Sequence, residues 1–293
     1  MTQAAATTPA LVMPESANGI EVRLARTPGE IEAAQRLRYQ VFYDEWGAQP
    51  DLRMRQSRRD IDAHDAAMDH MIVIDHARSP AQGQVIGNYR LLCRHPQDAP
   101  GHFYSSHEFD LWTLLSSDLR LLELGRSCVL REYRSMPVLQ LLWQAIVGYV
   151  ADHRIEVMFG CASLRGTDPN ALREQLSYLH HYHLAPPALR PCALGPNRTR
   201  MDLIDRSLID PVRALYALEP IIKGYLRLGA WVGADAYIDH QFNAVDVCIV
   251  LPTAQMTRKY RRHFERVLQR KLVAAADSCG PLEVDDARQV ASA

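Results

Sequence analysis

Apolar and polar residues alternate along Ile20–Ala25, the period of a half-buried strand. Thr27, Pro28 and Glu30 follow with capping-box spacing and a proline at the first helical position, so a helix begins there. Ile31, Ala34, Leu37, Val41 and Phe42 recur near helical spacing, which carries that helix to about Trp46. Residues 47–66 are polar and charged and read as a loop outside the core. Two apolar runs, His70–Asp75 and Val85–Cys93, are joined across Ser79–Gly83 and read as a hairpin. Leu119–Leu130 is the next strand and Val138–Asp152 a strongly apolar helix. Val157–Cys161 is a short buried strand, and Pro169–His181 a helix. Asp210 and Pro211 open a further helix to about Leu228, Ala244–Leu251 is a last strand, and Thr253–Leu272 a terminal helix. Antiparallel-type strands followed by a strand–helix–strand crossover predict an α/β fold, a mixed sheet with helices on its faces. Residues 20–273 read as one domain between tails at 1–19 and 274–293.

Composition narrows the function classes. A net charge of -1 gives no field that would attract nucleic acid. The amino-terminal stretch lacks a basic region and a long apolar core, so it does not read as a signal peptide. No apolar run reaches the ~18 residues needed to span a bilayer. The expectation is a soluble, cytoplasmic protein. The six cysteines form no CxxC pair and read as buried, reduced thiols. His180, His181 and His183 have no carboxylate or thiol partners at ligand spacing, so they read as structural and no metal is expected.

One strand breaks the apolar rule. Glu123 and Arg126 sit within Leu121–Leu130, where charge is costly unless it is paired or used. Two readings follow: a structural ion pair, or a base beside an anion site. The turn from Arg131 through Pro137 into the next helix offers backbone N–H groups to an anion. A carboxylate on the strand, an anion site at its end and no nucleophile motif suit attack of an amine on a carrier-bound carbonyl. Strand alternation puts residues 123 and 126 on opposite faces. A bulge at Gly125 or a splayed strand would bring them together.

Here the residues resemble a family. The element order and the strand–turn–helix around Glu123 look like a GNAT acyltransferase fold. Arg38, Phe42, Trp46, Asp62, Asp65, Arg90, Glu123 and Arg126 are similar to the acyl-homoserine-lactone synthase-like branch. The runs Asp69–His70, Gly87–Leu92, Phe103–Asp110, Leu122–Val129, Phe159–Ser163 and Pro220–Ala230 resemble the ornithine lipid N-acyltransferases more closely. That resemblance implies transfer of a 3-hydroxyacyl chain from acyl carrier protein to the α-amine of L-ornithine. The co-substrate would be the carrier's acyl-phosphopantetheine, with no tightly bound cofactor. Glu123 would be the base. Arg126, Arg38 and Arg90 would handle the substrate carboxylate or carrier phosphate, and Asp62 and Asp65 the cationic end of the amino acid. Phe42, Trp46 and His70 would complete the substrate site, and Val129, Arg131, Arg134 and Ser135 would meet the phosphopantetheine. The alternatives are a related N-acyl amino acid or signal synthase, and a non-catalytic protein that binds acyl carrier protein or membrane.

Two departures refine the expectation. GNAT pyrophosphate loops carry glycines that let backbone approach a diphosphate, whereas residues 131–138 contain none. This disfavours coenzyme A and fits an arm with a single phosphate. In the terminal helix, Tyr260, Phe264, Val267, Leu268 and Leu272 form an apolar stripe. Arg258, Lys259, Arg261, Arg262, Arg266, Arg270 and Lys271 surround it, with Glu265 the one acid. An acidic carrier protein or peripheral contact with an anionic inner membrane would suit that helix, as would packing on the sheet.

Overall fold

The computed structural model describes residues 19–98, 103–134 and 136–256, together with Arg262 and Arg266. Its elements run β1 (Ile20–Leu24), α1 (Pro28–Tyr39), a π-helical turn Gln40–Glu45, α2 (Leu52–Ser57), β2 (Asp69–Asp75) and β3 (Val85–Arg94). Next come β4 (Phe109–Asp110), α3 (Trp112–Leu115), β5 (Leu121–Val129), α4 (Met136–Asp152), β6 (Val157–Arg165) and α5 (Arg173–His183). The chain continues with β7 (Cys192–Ala193), β8 (Arg198–Thr199), α6 (Pro211–Ala217), α7 (Pro220–Leu228), β9 (Trp231–Asp239) and β10 (Ala244–Pro252). Eight strands form one sheet in the order β1-β2-β3-β5-β6-β10-β9-β8, and β4 pairs with β7 in a small ribbon.

The capping box at α1 forms as its spacing dictates: Thr27 Oγ1 accepts from Glu30 N, and Glu30 reaches back to Thr27 N. Helices cover both faces of the sheet, as expected. Arg38 of α1 meets the face that carries Arg90 of β3. Tyr149 of α4 reaches Asp69 and Cys93 on the opposite face, and Trp143 of α4 stacks edge-on with Tyr225 of α7. Leu122 and Leu124 of β5 join the main core on the α4 and α7 side, while Leu121 packs with Phe103, Phe109, Val157, Phe159 and Val250 on the other.

Three expectations change. Residues 47–66 are not a solvated loop: Met54, Asp60 and Asp65 are buried there, because arginines from the core neutralise the acids. The helix over 211–228 is two helices, broken where Pro220 starts a new first turn. β9 gave no strand signal, since Gly233, Ala234, Asp235 and Ala236 have low strand preference; it is held by pairing with β10 and β8. The tails and most of the terminal basic helix lie outside the described residues. Arg262 and Arg266 are helical and exposed.

The parallel pairing of β5 with β6 creates the opening that matters. β5 and β6 pair at Leu121–Val157, Leu122–Met158 and Glu123–Phe159 and then separate, while β6 stays paired with β10 over its whole length. Glu123 is the last residue of β5 in the parallel register. Just beyond it, the Leu124 carbonyl presses on Gly160, where an added Cβ would lie 2.2 Å from the carbonyl oxygen. Gly160→Ala should therefore lower stability by about 1–3 kcal/mol, the usual cost of overpacking. Gly125→Ala, with nothing within 4 Å of the added carbon, should change it by less than ~1 kcal/mol. Urea denaturation of the two variants checks this; equal midpoints would contradict it.

Candidate active site

The strand that holds Glu123 solves the alternation problem with a bulge. Between Asn88 and Arg90, β3 advances two residues while β5 advances three, from Cys128 to Gly125. Arg126 takes up the extra length in the left-handed region, at φ 50°, which costs an L residue ~1–2 kcal/mol. Asn88 Nδ2 donates to the Arg126 carbonyl at 3.1 Å and anchors the bulge. The parity of the strand shifts there, and Glu123 and Arg126 both line one cavity of about 100 Å³.

Glu123 is fully buried, and backbone amides fix both of its oxygens. Tyr104 N donates to Oε2 at 3.0 Å and Ser105 N to Oε1 at 2.7 Å. These amides open a short 3-10 turn over Tyr104–His107, where orphan N–H groups favour an anion. Glu123 is thus held as an oriented carboxylate, and Arg126 is not its partner.

Arg126 instead closes one side of the cavity. Its guanidinium lies 4.4 Å from the centroids of both the Tyr104 and Phe242 rings. Its nitrogens reach Asp60 at 3.1 Å and Asp62 at 3.3 Å. Asp60 also accepts from Arg38 Nε at 2.7 Å and from the Tyr43 hydroxyl at 3.0 Å. Asp65 is shared by Arg38, Arg90 and Gln35, and Arg90 Nη1 binds Asp62 at 2.6 Å. Burial raises the Asp60 pKa, but Arg126, Arg38 and Arg90 outweigh it and hold that carboxyl below its ordinary value. Asp62 lies on the same side, burial again being overcome by Arg90.

Several residues expected to contact substrate lie in this network. Arg38 and Arg90 are completely buried and pair with Asp60, Asp62 and Asp65, while Arg38 Nη1 and Arg90 Nε and Nη2 have no hydrogen-bond partner among the described residues. Asp62 pairs with Arg90 and Arg126, and Asp65 with Arg38 and Arg90. His70 is buried beneath them, its Nε2 at 3.0 Å from the Asp65 carbonyl, and burial lowers its pKa. Phe42 and Trp46 do line the cavity, and Arg165 stacks 4.4 Å over the Trp46 ring. In the turn after β5, Val129 is buried in the sheet, Arg131 is exposed, and Arg134 is taken by Glu45 at 2.7 Å. Ser135 lies outside the described residues.

Sequence reading missed the far wall. Glu108, Asp239 and Asp246 are all buried, with carboxylate oxygens within 4.8 Å of one another, and Asp239 and Asp246 line the cavity. Burial, then the charge of Asp246, pushes the Glu108 pKa well above the carboxylate range; burial, partly offset by Ser163, pushes Asp246 up to about 6. The one usable signal was Asp246 in an otherwise apolar strand, the same anomaly that marked Glu123. Cys161 also borders the cavity, but burial holds its thiol well above the usual range, so it is no thiolate nucleophile. Among the described cysteines Cys192 is exposed, against expectation, because it sits on the short β4–β7 ribbon. His181 and His183 bond to the Ile204 carbonyl and the Tyr178 hydroxyl.

The comparisons follow this geometry. A family model described as an acetyltransferase (GNAT) domain matches residues 37–144. With the strand order and the splayed β5–β6 pair, it defines an acyltransferase of the GNAT class. The chain is 44% identical to the L-ornithine N(alpha)-acyltransferase of Rhodobacter capsulatus, across 84% of this chain and 95% of that protein. It is 41% identical to the enzyme of that name from Agrobacterium fabrum, across 84% and 85%. It belongs to the L-ornithine N(alpha)-acyltransferase family. Among solved structures it is similar to the AHL synthase LasI, 15% identical with a TM-score of 0.46 across 88% of this chain and 100% of that one. It is also similar to FeeM, an N-acyl amino acid synthase from uncultured soil microbes, 11% identical with a TM-score of 0.44 across 82% and 97%.

The two acid clusters make opposite stability predictions. Asp60→Asn leaves Arg38 and Arg126 short of a buried partner and should cost about 3–5 kcal/mol at pH 7. The stabilisation from Asp60 and Asp62, whose folded pKa values are depressed, persists above about pH 4 and is lost as pH falls further. Asp246 has the reverse sign. Its folded pKa lies above its unfolded one, so its charge costs nothing below about pH 4 and its full penalty above about pH 6. Asp246→Asn should match the wild type at pH 4 and exceed it by roughly 1–3 kcal/mol at pH 8. Denaturation curves at the two pH values check both signs.

Proposed function

We propose that this protein transfers a 3-hydroxyacyl chain from acyl carrier protein to the α-amine of L-ornithine, giving lyso-ornithine lipid. The observation that carries the reading is Glu123: a buried carboxylate, aimed by two backbone amides into a cavity at the point where β5 and β6 part. Family membership supplies the acceptor.

The thioester would enter along the opening between β5 and β6, its carbonyl near the bulge. The acyl chain would then lie against Leu124, Met158, Tyr225, Ile249 and Leu251, an apolar slot behind the opening. The α-amine attacks the carbonyl carbon, and its proton passes to Glu123 directly or through one water. The tetrahedral intermediate collapses, the C–S bond breaks, and the carrier's thiolate leaves and takes up a proton. Glu123 suits this work because its orientation is fixed before substrate arrives, while each oxygen keeps accepting capacity beyond its single amide bond. Arg126, pinned between two aromatic rings, shapes the acceptor side. The carrier's phosphate would meet the turn after β5, where Arg131 is exposed and a backbone without glycine suits one phosphate better than two. The basic run 258–271 would offer the carrier's acidic surface, or anionic lipid headgroups, a docking site.

Glu123→Gln keeps the shape and one of the two backbone contacts, its amide oxygen still accepting while its NH2 cannot, and kcat should fall about 10²–10⁴-fold, the span for losing a general base. The fold should be retained with a stability loss of about 1–3 kcal/mol, the cost of the backbone N–H left facing that NH2. An active Gln variant beside an unfolded Ala variant would make Glu123 structural. For the donor, acyl carrier protein thioesters should exceed the matching coenzyme A thioesters in kcat/KM by at least about tenfold, a ~1.4 kcal/mol preference. Comparable values for the two donors would remove the carrier protein from the reading.

A further inference from the structure

Two acid clusters in unlike states lie near the cavity: one sits behind Arg126, and the other supplies Asp239 and Asp246 to its wall. Asp60, Asp62 and Asp65 are balanced by Arg38, Arg90 and Arg126. For Glu108, Asp239 and Asp246, no arginine or lysine among the described residues forms an ion pair; Asp239 Oδ1 accepts only from the Gln241 and Phe242 backbone amides. Glu108 Oε2 and Asp246 Oδ1 are buried, and no donor outside the cluster reaches them among the described residues. Buried acceptors left open in this way cost free energy unless a donor arrives. Three mutually close carboxylates present one acceptor each to a single point, which matches the three N–H bonds of a primary ammonium. A hard divalent cation would ask for six or more oxygens, and the nearby Cys161 and apolar Cys248 face do not supply them.

We propose that Glu108, Asp239 and Asp246 bind the side-chain ammonium of the acceptor amino acid, and so restrict the enzyme to diamino acids. The inference deepens the ornithine reading and rests on it. The three residues come from different segments of the chain, yet register places Asp246 opposite Ser163, on the sheet face that carries Glu123. One end of an extended amino acid can therefore rest on the triad while its α-amine points towards β5. In the empty site the triad keeps a proton on the Glu108–Asp246 pair, and an incoming ammonium displaces it. Ornithine should consequently bind more tightly as pH rises from about 5 to 7.5, even though its own charge is constant over that range.

The test compares L-ornithine with L-norvaline, which has the same carbon chain without the terminal amine, using a 3-hydroxyacyl-carrier donor. Wild-type kcat/KM should favour ornithine by at least about 10²-fold, since a site built for a polar group rejects the analogue lacking it. In Asp246→Asn and Glu108→Gln that ratio should fall at least about tenfold. An unchanged ratio in both variants, or a wild type indifferent to the terminal amine, overturns the proposal. A binding arm without donor separates this from the reaction itself. Ornithine, and not norvaline, should raise the Tm of wild type and fail to raise that of Asp246→Asn. If ornithine binds in this Asp246-dependent way but no amide forms, the acyl-transfer reading fails and the ammonium site stands. If ornithine produces no shift in wild type, the site is overturned.

Discussion

Asp60 holds the active site together. It is fully buried and accepts from Arg38 of α1, from Arg126 of the β5 bulge and from Tyr43 of the π-helical turn. The bulge puts Arg126 in a left-handed conformation that the strand would not choose unaided. Strain of that kind survives only where surrounding contacts over-determine the position. Here the contacts are a carboxylate on each side of the guanidinium plane's edge, an aromatic ring on each face, and Asn88 on the carbonyl. Removing the bulge would return residue 126 to the other face and reopen the cavity wall. Buried ion networks contribute little net stability; this one serves to fix geometry.

The same economy explains the division of labour among the acids. The two clusters hold six buried or half-buried carboxylates, and three arginines neutralise half of them. Glu123 stands apart from both clusters, stabilised by amides rather than by cations. A base paired to an arginine would be a poorer proton acceptor, because the cation favours the ionised form. Two backbone N–H groups orient the Glu123 carboxylate. The other triad remains electrostatically incomplete, so the protein carries a destabilising feature at neutral pH that a cationic substrate relieves.

Much of the frame was legible in the sequence, because local chemistry and periodicity agree there. The capping box at Thr27, the hairpin β2–β3 and the strand–turn–helix after Leu121 all follow from short-range pattern. Glu123 stood out for its charge in an apolar run. What was not legible depends on distant pairing. Asp60 lies in a polar stretch that reads as solvated unless its arginine partners, 22 and 66 residues away, are known. Asp62 and Asp65 stood out in the sequence, but their arginine partners did not. The Glu108–Asp239–Asp246 cluster draws on three segments with no fixed spacing. β9 was invisible because its glycine, alanines and aspartates suit a strand only when neighbours on both sides supply the ladder.

The most direct test of the account is a crystal structure with the N-(3-hydroxyacyl)-L-ornithine product bound. The account places the new amide nitrogen within about 3 Å of the Glu123 carboxylate, or of one water held by it. The acyl chain should pass between β5 and β6 beside Leu124. A product seated elsewhere, with Glu123 touching only the Tyr104 and Ser105 amides, would contradict it.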